Sequence, residues 1–289
     1  MTGDQSHVTR ALAQFVAGFE WGAIPPEVRR EGVRGLLNFV GCALGGAQDE
    51  AMGIAVKVLT PFFGPPQGIV IGRGDRPDAL NAAFLNAVSA NVLEYDDTHL
   101  GTVMHPAAPV ASGLFALAEL RPVSGRDLLQ AFIVGVETSC RVGLAVMPTH
   151  YRRGWHITAT CGIFGAAAAC ARLIGLDERR TTWALGHAAT QSASLVESLG
   201  SMSKSLGVGN AAKNGLVAAL LAEGGFGGPD RPIEGRYGFA AVTSDSAQNE
   251  EPDWMGGYQL LTTRIRMAGV LIHQPGARAT GRPIACAPG

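Results

Sequence analysis

Residues 94–106 read EYDDTHLGTVMHP, which places Glu94, Asp96, Asp97, Thr98, His99 and His105 within twelve positions of a chain that is otherwise short of charge. Carboxylates crowded in this way repel one another unless solvent, a cation or a hydrogen-bond network compensates. Three chemistries fit the residue types. The stretch can be a solvated loop at a helix end. It can be a divalent-metal site, because carboxylates and imidazoles both ligate such ions. It can also be an acid–base centre, in which an imidazole oriented by carboxylates moves a proton near neutral pH.

Two further stretches carry reactive side chains. In GWHITAT, His156 stands just ahead of a run of small residues, although a histidine beside a tryptophan is more often a satisfied structural group. In SMSKSLGVGNAAKNG, Lys204 and Lys213 are rare charges among glycines that permit close approach of a backbone or ligand. No GxxxxGK[ST] phosphate loop is present, but a lysine near a Gly-rich helix start suits an anion. The glycines of EGGFGGPDRPIEGRYGF read as turns.

The elements that must position these groups read as helices. Apolar spacing predicts helices over 8–23 and 26–47, then a short β-like piece at QGIVIG, 67–72. Leu80, Phe84, Val88 and Val92 recur at i, i+4 and form one stripe, with Asp and Pro at the start of the run. That helix ends at the acidic cluster and leaves it in the loop beyond. Helices are also expected over 105–120, over 124–146 behind a Ser-x-x-Asp start, and over 158–175, 178–196 and 207–223. Almost nothing alternates with period two, so the fold class is mainly all-α. From about residue 244 the composition turns polar and acidic, YQLLTTRIRMAGVLIH has strand character, and the last sixteen residues lose all periodicity.

The bulk numbers agree with buried helices. The chain has 289 residues, 47% hydrophobic and 16% charged, with a formal net charge of −1 and a mean hydropathy of +0.16. Such a balance offers no basic field for nucleic acid or an anionic membrane surface. The N-terminus lacks signal-peptide features, and the longest apolar runs contain His, Trp and Gly, so a soluble cytoplasmic protein is expected. The five cysteines have no metal-ligand spacing and read as buried thiols.

The order and wording of three blocks go further. NVLEYDDTHLGTVMHPAAPVASGLFALAE, GWHITATCGIFGAAAACARLIGLD and KSLGVGNAAKNGLVAALLAEGGFGGPDRPIEGRYGF resemble the MmgE/PrpD family, in that family's own order, from about residue 8 to about 245. The family includes 2-methylcitrate dehydratase, cis-aconitate decarboxylase and dicarboxylate epimerases. The resemblance implies a large all-α domain, a smaller α+β lid, a homodimer, and chemistry on di- or tricarboxylates without metal or other cofactor. Carried over residue by residue, it implies a pocket of Asp96, Asp97 and Thr98 with His105, His156 and Lys204. Glu94 stands where relatives often carry Asp, which moves a carboxylate by one methylene. His105 and Lys204 are expected to transfer protons and His156 to meet a substrate carboxylate. Dehydration of the 2-methylcitrate type is taken as the leading activity because it is the commonest named one, with decarboxylation or epimerisation as alternatives. A silent, carboxylate-binding or dimerising fragment is the other class considered. A Mg²⁺-dependent diphosphate enzyme is a third, resting only on DDTHL, which resembles half of the acidic motif of all-α prenyl-diphosphate enzymes.

Two segments are expected: an all-α domain over 1–245, and over 246–289 the incomplete start of a lid with an aberrant tail. TRIRMAGVLIH weakly resembles a lid segment, in which Arg264 stands for a substrate-binding cation. Family members continue well beyond residue 289, so the tail reads as a truncation or a shifted frame.

Overall fold

The computed structural model describes residues 7–245 and 258–264. Among them eleven α-helices carry nearly all the regular structure, in agreement with the all-α expectation. They are α1 Val8–Gly18, α2 Pro26–Gly46, α3 Glu50–Leu59, α4 Ala79–Asn91, α5 Ala107–Leu120, α6 Gly125–Val146, α7 Thr149–Arg152, α8 Ile157–Ile174, α9 Glu178–Gln191, α10 Met202–Glu223 and α11 Phe239–Thr243. One two-stranded antiparallel pair joins β1, Thr98–His99, to β2, Thr263–Arg264.

The centre of the molecule is α8, in which every residue from Ile157 to Ala171 is buried. A helix apolar on all sides must be surrounded, and α6, α10, α5 and α9 surround this one. Small residues make that possible. A Cβ on Gly135 of α6 would stand 2.7 Å from the Gly165 carbonyl oxygen of α8, and one on Gly215 of α10 would stand 2.5 Å from Ala166 Cβ. The helix ends at Gly175, whose φ of +81° turns the chain so that the Leu176 N–H returns to the Ala171 carbonyl at 3.0 Å. By length and composition α6 and α8 are apolar enough to cross a membrane, but 83% of each apolar window is buried inside the protein.

The second buried helix, α4, departs from the single stripe expected of it. Every residue from Ala82 to Asn91 is buried, because α2, α5 and α10 all pack on it and its alanines fit between them. Its start is sealed by Asp78, which accepts from the N–H groups of Leu80 and Asn81 at 3.1 Å each. Ser124 caps α6 in the same way, accepting from Asp127 N–H at 3.1 Å.

Several boundaries move. The helix expected over 8–23 stops at Gly18, and Trp21–Ala23 form a 3₁₀ turn. QGIVIG is not a strand; Asn86 of α4 holds this extended piece through Ile71 N–H and the Ile69 carbonyl. Helix α3 has no counterpart among the expected elements. Helix α9 ends at Gln191 instead of 196. Helix α10 begins at Met202, five residues earlier than expected, which puts Lys204 in its first turn. Cys42, Cys140, Cys161 and Cys170 are buried free thiols, as expected. Cys286 and most of the segment expected over 246–289 lie outside the described residues.

Candidate active site

The acidic stretch begins where α4 ends. Beyond Asn91 the chain reverses through Glu94, whose φ of +58° is left-handed, a conformation that disfavours a residue with a Cβ by about 1–2 kcal/mol. The reversal brings the Glu94 carboxylate to Lys204 Nζ at 3.0 Å. Lys204 is 5% exposed, whereas the Glu94 side chain is 57% exposed, so the pair is solvated from one side only.

The next two acids turn inward. Asp96 is held by Asn91, whose Nδ2 donates to Oδ2 at 2.7 Å. Asp97 is fully buried, and its Oδ1 accepts the N–H of Ala107 at 3.1 Å, in the first turn of α5. Burial, and then the neighbouring Asp96, push the Asp97 carboxyl up to about 8. At neutral pH it therefore holds its proton most of the time, which relieves the repulsion expected of adjacent acids. Among the described residues no three histidine, cysteine or carboxylate groups converge as a metal site would require.

His105 is reached after β1 and a tight return, in which His99 N–H donates to the Met104 carbonyl at 2.9 Å. Its Nδ1 lies 3.0 Å from the Asp97 carbonyl oxygen, 3.4 Å from Thr98 Oγ1 and 3.4 Å from Asp96 Oδ1. A carbonyl oxygen only accepts, so this contact assigns the proton to Nδ1 and leaves Nε2 as the nitrogen able to take up another. The backbone N–H of His105 donates to Thr158 Oγ1 on α8 at 3.2 Å, tying the loop to the central helix.

His156 occupies the residue before α8 and is 4% exposed. Its Nδ1 has no hydrogen-bond partner among the described residues. Burial first, then the charge of Lys204, then His105, lower its pKa to about 4, with Glu94 opposing, so the ring is neutral at pH 7. These couplings place His156, His105, Lys204 and Glu94 in one electrostatic neighbourhood, although they come from three separate stretches of sequence.

The remaining candidates are distributed differently. Thr98 pairs through its main chain with Arg264, and His99 with Thr263. The Arg264 side chain lies outside the described residues. His99 is structural, its ring held by Thr102 Oγ1 at 2.8 Å and Gln259 Oε1 at 3.3 Å. Lys213 sits over the Phe84 ring, 5.8 Å from its centroid, apart from Lys204. A cleft of about 290 Å³ beside α10, lined by Ser194, Gly207 and Asn210 among others, and one of about 460 Å³ lined by Arg10, Arg179 and Arg231 among others, contain none of His105, His156 or Lys204. The supporting residues Asn91, Thr158 and Ser205, whose Oγ reaches Asn91 Oδ1 at 3.4 Å, carried no signal in the sequence. An asparagine or serine on a helix is marked as a site neighbour only by what it meets in space.

The family profile described as the MmgE/PrpD N-terminal domain matches residues 10–252. The chain belongs to the MmgE/PrpD family. Its similarity to named MmgE/PrpD-related proteins is spread over most of its length. It is 34% identical over 281 residues to the cis-aconitate decarboxylase-like protein oryM of Aspergillus oryzae, covering 91% of this chain and 58% of that one. It is 30% identical over 289 residues to the cis-aconitate decarboxylase of Aspergillus terreus, covering 94% and 59%. With the cis-aconitate decarboxylase of Homo sapiens it shares 31% identity over 241 residues, covering 81% and 50%. The chain thus spans between half and three-fifths of the length of these relatives.

Proposed function

We propose that this protein is a lyase that decarboxylates cis-aconitate or a close tricarboxylate, without a metal ion. The carrying observation is that Lys204 meets Glu94 and His105 meets Asp97 on the one loop 94–105 of an MmgE/PrpD helical domain, with His156 two residues from the Thr158 that holds the His105 N–H. The names of the similar proteins favour decarboxylation over the 2-methylcitrate dehydration first expected.

Loss of CO₂ leaves the electron pair of the broken bond on carbon, and that carbon must gain one proton. Lys204 is placed to stabilise the developing negative charge on a substrate carboxylate or its conjugated system. His105, with its Nδ1 proton committed to the Asp97 carbonyl, exchanges the catalytic proton through Nε2. The neutral His156, whose Nδ1 meets no partner among the described residues, hydrogen-bonds a substrate carboxylate. Thr98 and Glu94 belong to the substrate wall in this reading, while Asp96 and Asp97 act from below by fixing the loop. A homodimer is part of the proposal. Helix α2 supports it by presenting Val33, Leu37 and Leu44 to solvent.

The test is to incubate the purified chain in EDTA with cis-aconitate and, separately, with 2-methylcitrate. CO₂ release from the first with no loss of the second is the expected outcome. Consumption of 2-methylcitrate without CO₂ from cis-aconitate would return the reading to dehydration.

A further inference from the structure

Glu137 lies in the middle of α6 and belongs to none of the contacts around Lys204. Its side chain is 0% exposed. A carboxylate so placed needs donors on its oxygens, and among the described residues it has three. The N–H of Leu260 donates to Oε1 at 2.9 Å, the N–H of Gln259 to Oε2 at 3.1 Å, and Arg141 Nη2, one turn along α6, to Oε2 at 3.1 Å. Burial raises the Glu137 pKa, while the two N–H groups and Arg141 draw it back.

Two consecutive main-chain N–H groups on one carboxylate set both the position and the direction of the chain at 259–260. Neighbouring contacts reinforce this placement. Leu260 is buried, and Tyr258 donates its hydroxyl to the Ala23 carbonyl at 3.2 Å. From there the chain enters β2, which pairs Thr263 with His99 and Arg264 with Thr98. Gln259 also reaches the ring of His99 directly.

We propose that Glu137 is a positioning residue for the site: by holding the main chain at 259–260 it sets the register of β2 on β1, and through β1 the placement of Thr98 and His105. The consequence for turnover rests on the tricarboxylate reading above, whereas the geometric part does not.

Glu137→Gln is the first test, because it keeps the shape and replaces one acceptor oxygen by an amide NH₂. In either orientation that NH₂ faces an N–H donor. Hydrogen exchange is followed on the whole 289-residue chain, together with the kinetics of cis-aconitate turnover. Amides at 259–260 and at 98–99 are expected to exchange faster together, by about tenfold or more, with α8 amides unchanged. KM is expected to rise by more than kcat falls. Loosening of 259–260 with wild-type exchange at 98–105 and wild-type KM would overturn the proposal. If α8 also loosens, the whole chain has been destabilised and Gln259→Pro decides. It deletes one N–H that Glu137 accepts and leaves the Glu137–Arg141 pair in place, and the extended backbone of Tyr258 tolerates a following proline. Because it also removes the Gln259 contact to His99, it is read against Gln259→Ala, which removes that contact and keeps the N–H. Faster exchange at 98–99 in the proline variant than in the alanine variant supports the positioning role, and equal exchange removes it. A wild-type chain that releases no CO₂ would defeat the decarboxylase reading while the exchange result still decided this one.

Discussion

At the residue scale, the buried titratable groups oppose one another in a way that pH can expose. His150 and His156 have pKa values lowered from 6.5 to about 4, mainly by burial, so the fold prefers them neutral. Their contribution is present above 6.5 and is lost as pH falls toward 4. Asp97 is raised from 3.8 to about 8, so its contribution is present below 3.8 and is lost as pH rises through 8. Between pH 4 and 6.5 these trends oppose; between 6.5 and 8 that of Asp97 stands without them. Asp97→Asn keeps an oxygen for the Ala107 N–H and removes the titration. Its melting temperature should fall more steeply than wild type on acidification and stay flat from pH 6.5 to 8, where wild type declines. Identical profiles for the two proteins would mean that Asp97 is ionised in the fold. His105→Ala tests the proposed proton-transfer role directly. It should cut cis-aconitate turnover by roughly 10²–10⁴-fold, measured as steady-state CO₂ release, without changing the melting temperature by more than a few degrees.

At the element scale, the helices cross closely because glycines and alanines face one another. Gly135→Ala would set a Cβ 2.7 Å from both Ala169 Cβ and the Gly165 carbonyl oxygen. Backbone on one side and a short side chain on the other leave little to yield, so a loss of about 1–3 kcal/mol is expected in denaturant unfolding. Gly53, on the exposed side of α3, has nothing within 4 Å of its Cβ position. Gly53→Ala should therefore stabilise by about 0.5–1 kcal/mol through helix propensity alone. Equal effects of the two substitutions would argue against the close α6–α8 crossing. The helix starts were legible because Asp78 and Ser124 are local caps. Helix α3 was not, although Asp49 caps it by accepting the Ala51 N–H at 2.9 Å, because its apolar residues run almost continuously into the Pro-rich stretch after it and present no clear period.

At the scale of the whole molecule, a homodimer should appear in light scattering as twice the 30.0 kDa of one chain. A single-chain mass at micromolar concentration would remove the dimer from the proposal. The sequence by itself determined the all-α class, the helix starts at Asp78 and Ser124, and the three stretches from which the candidate site is drawn, because periodicity and capping are local and those residue types are rare in this composition. Family membership was legible for the same reason, in the order of its motif blocks. The rest was decided by distance in space. The sequence treats Asp96 and Asp97 as equals of Glu94, but only the tertiary structure turns two of the three inward, one to Asn91 and the other to the start of α5. It alone brings Glu94 to Lys204 across 110 residues and joins Glu137 to the N–H groups of residues 259 and 260. Burial sets what a carboxylate does, and burial depends on packing from helices far apart in the chain.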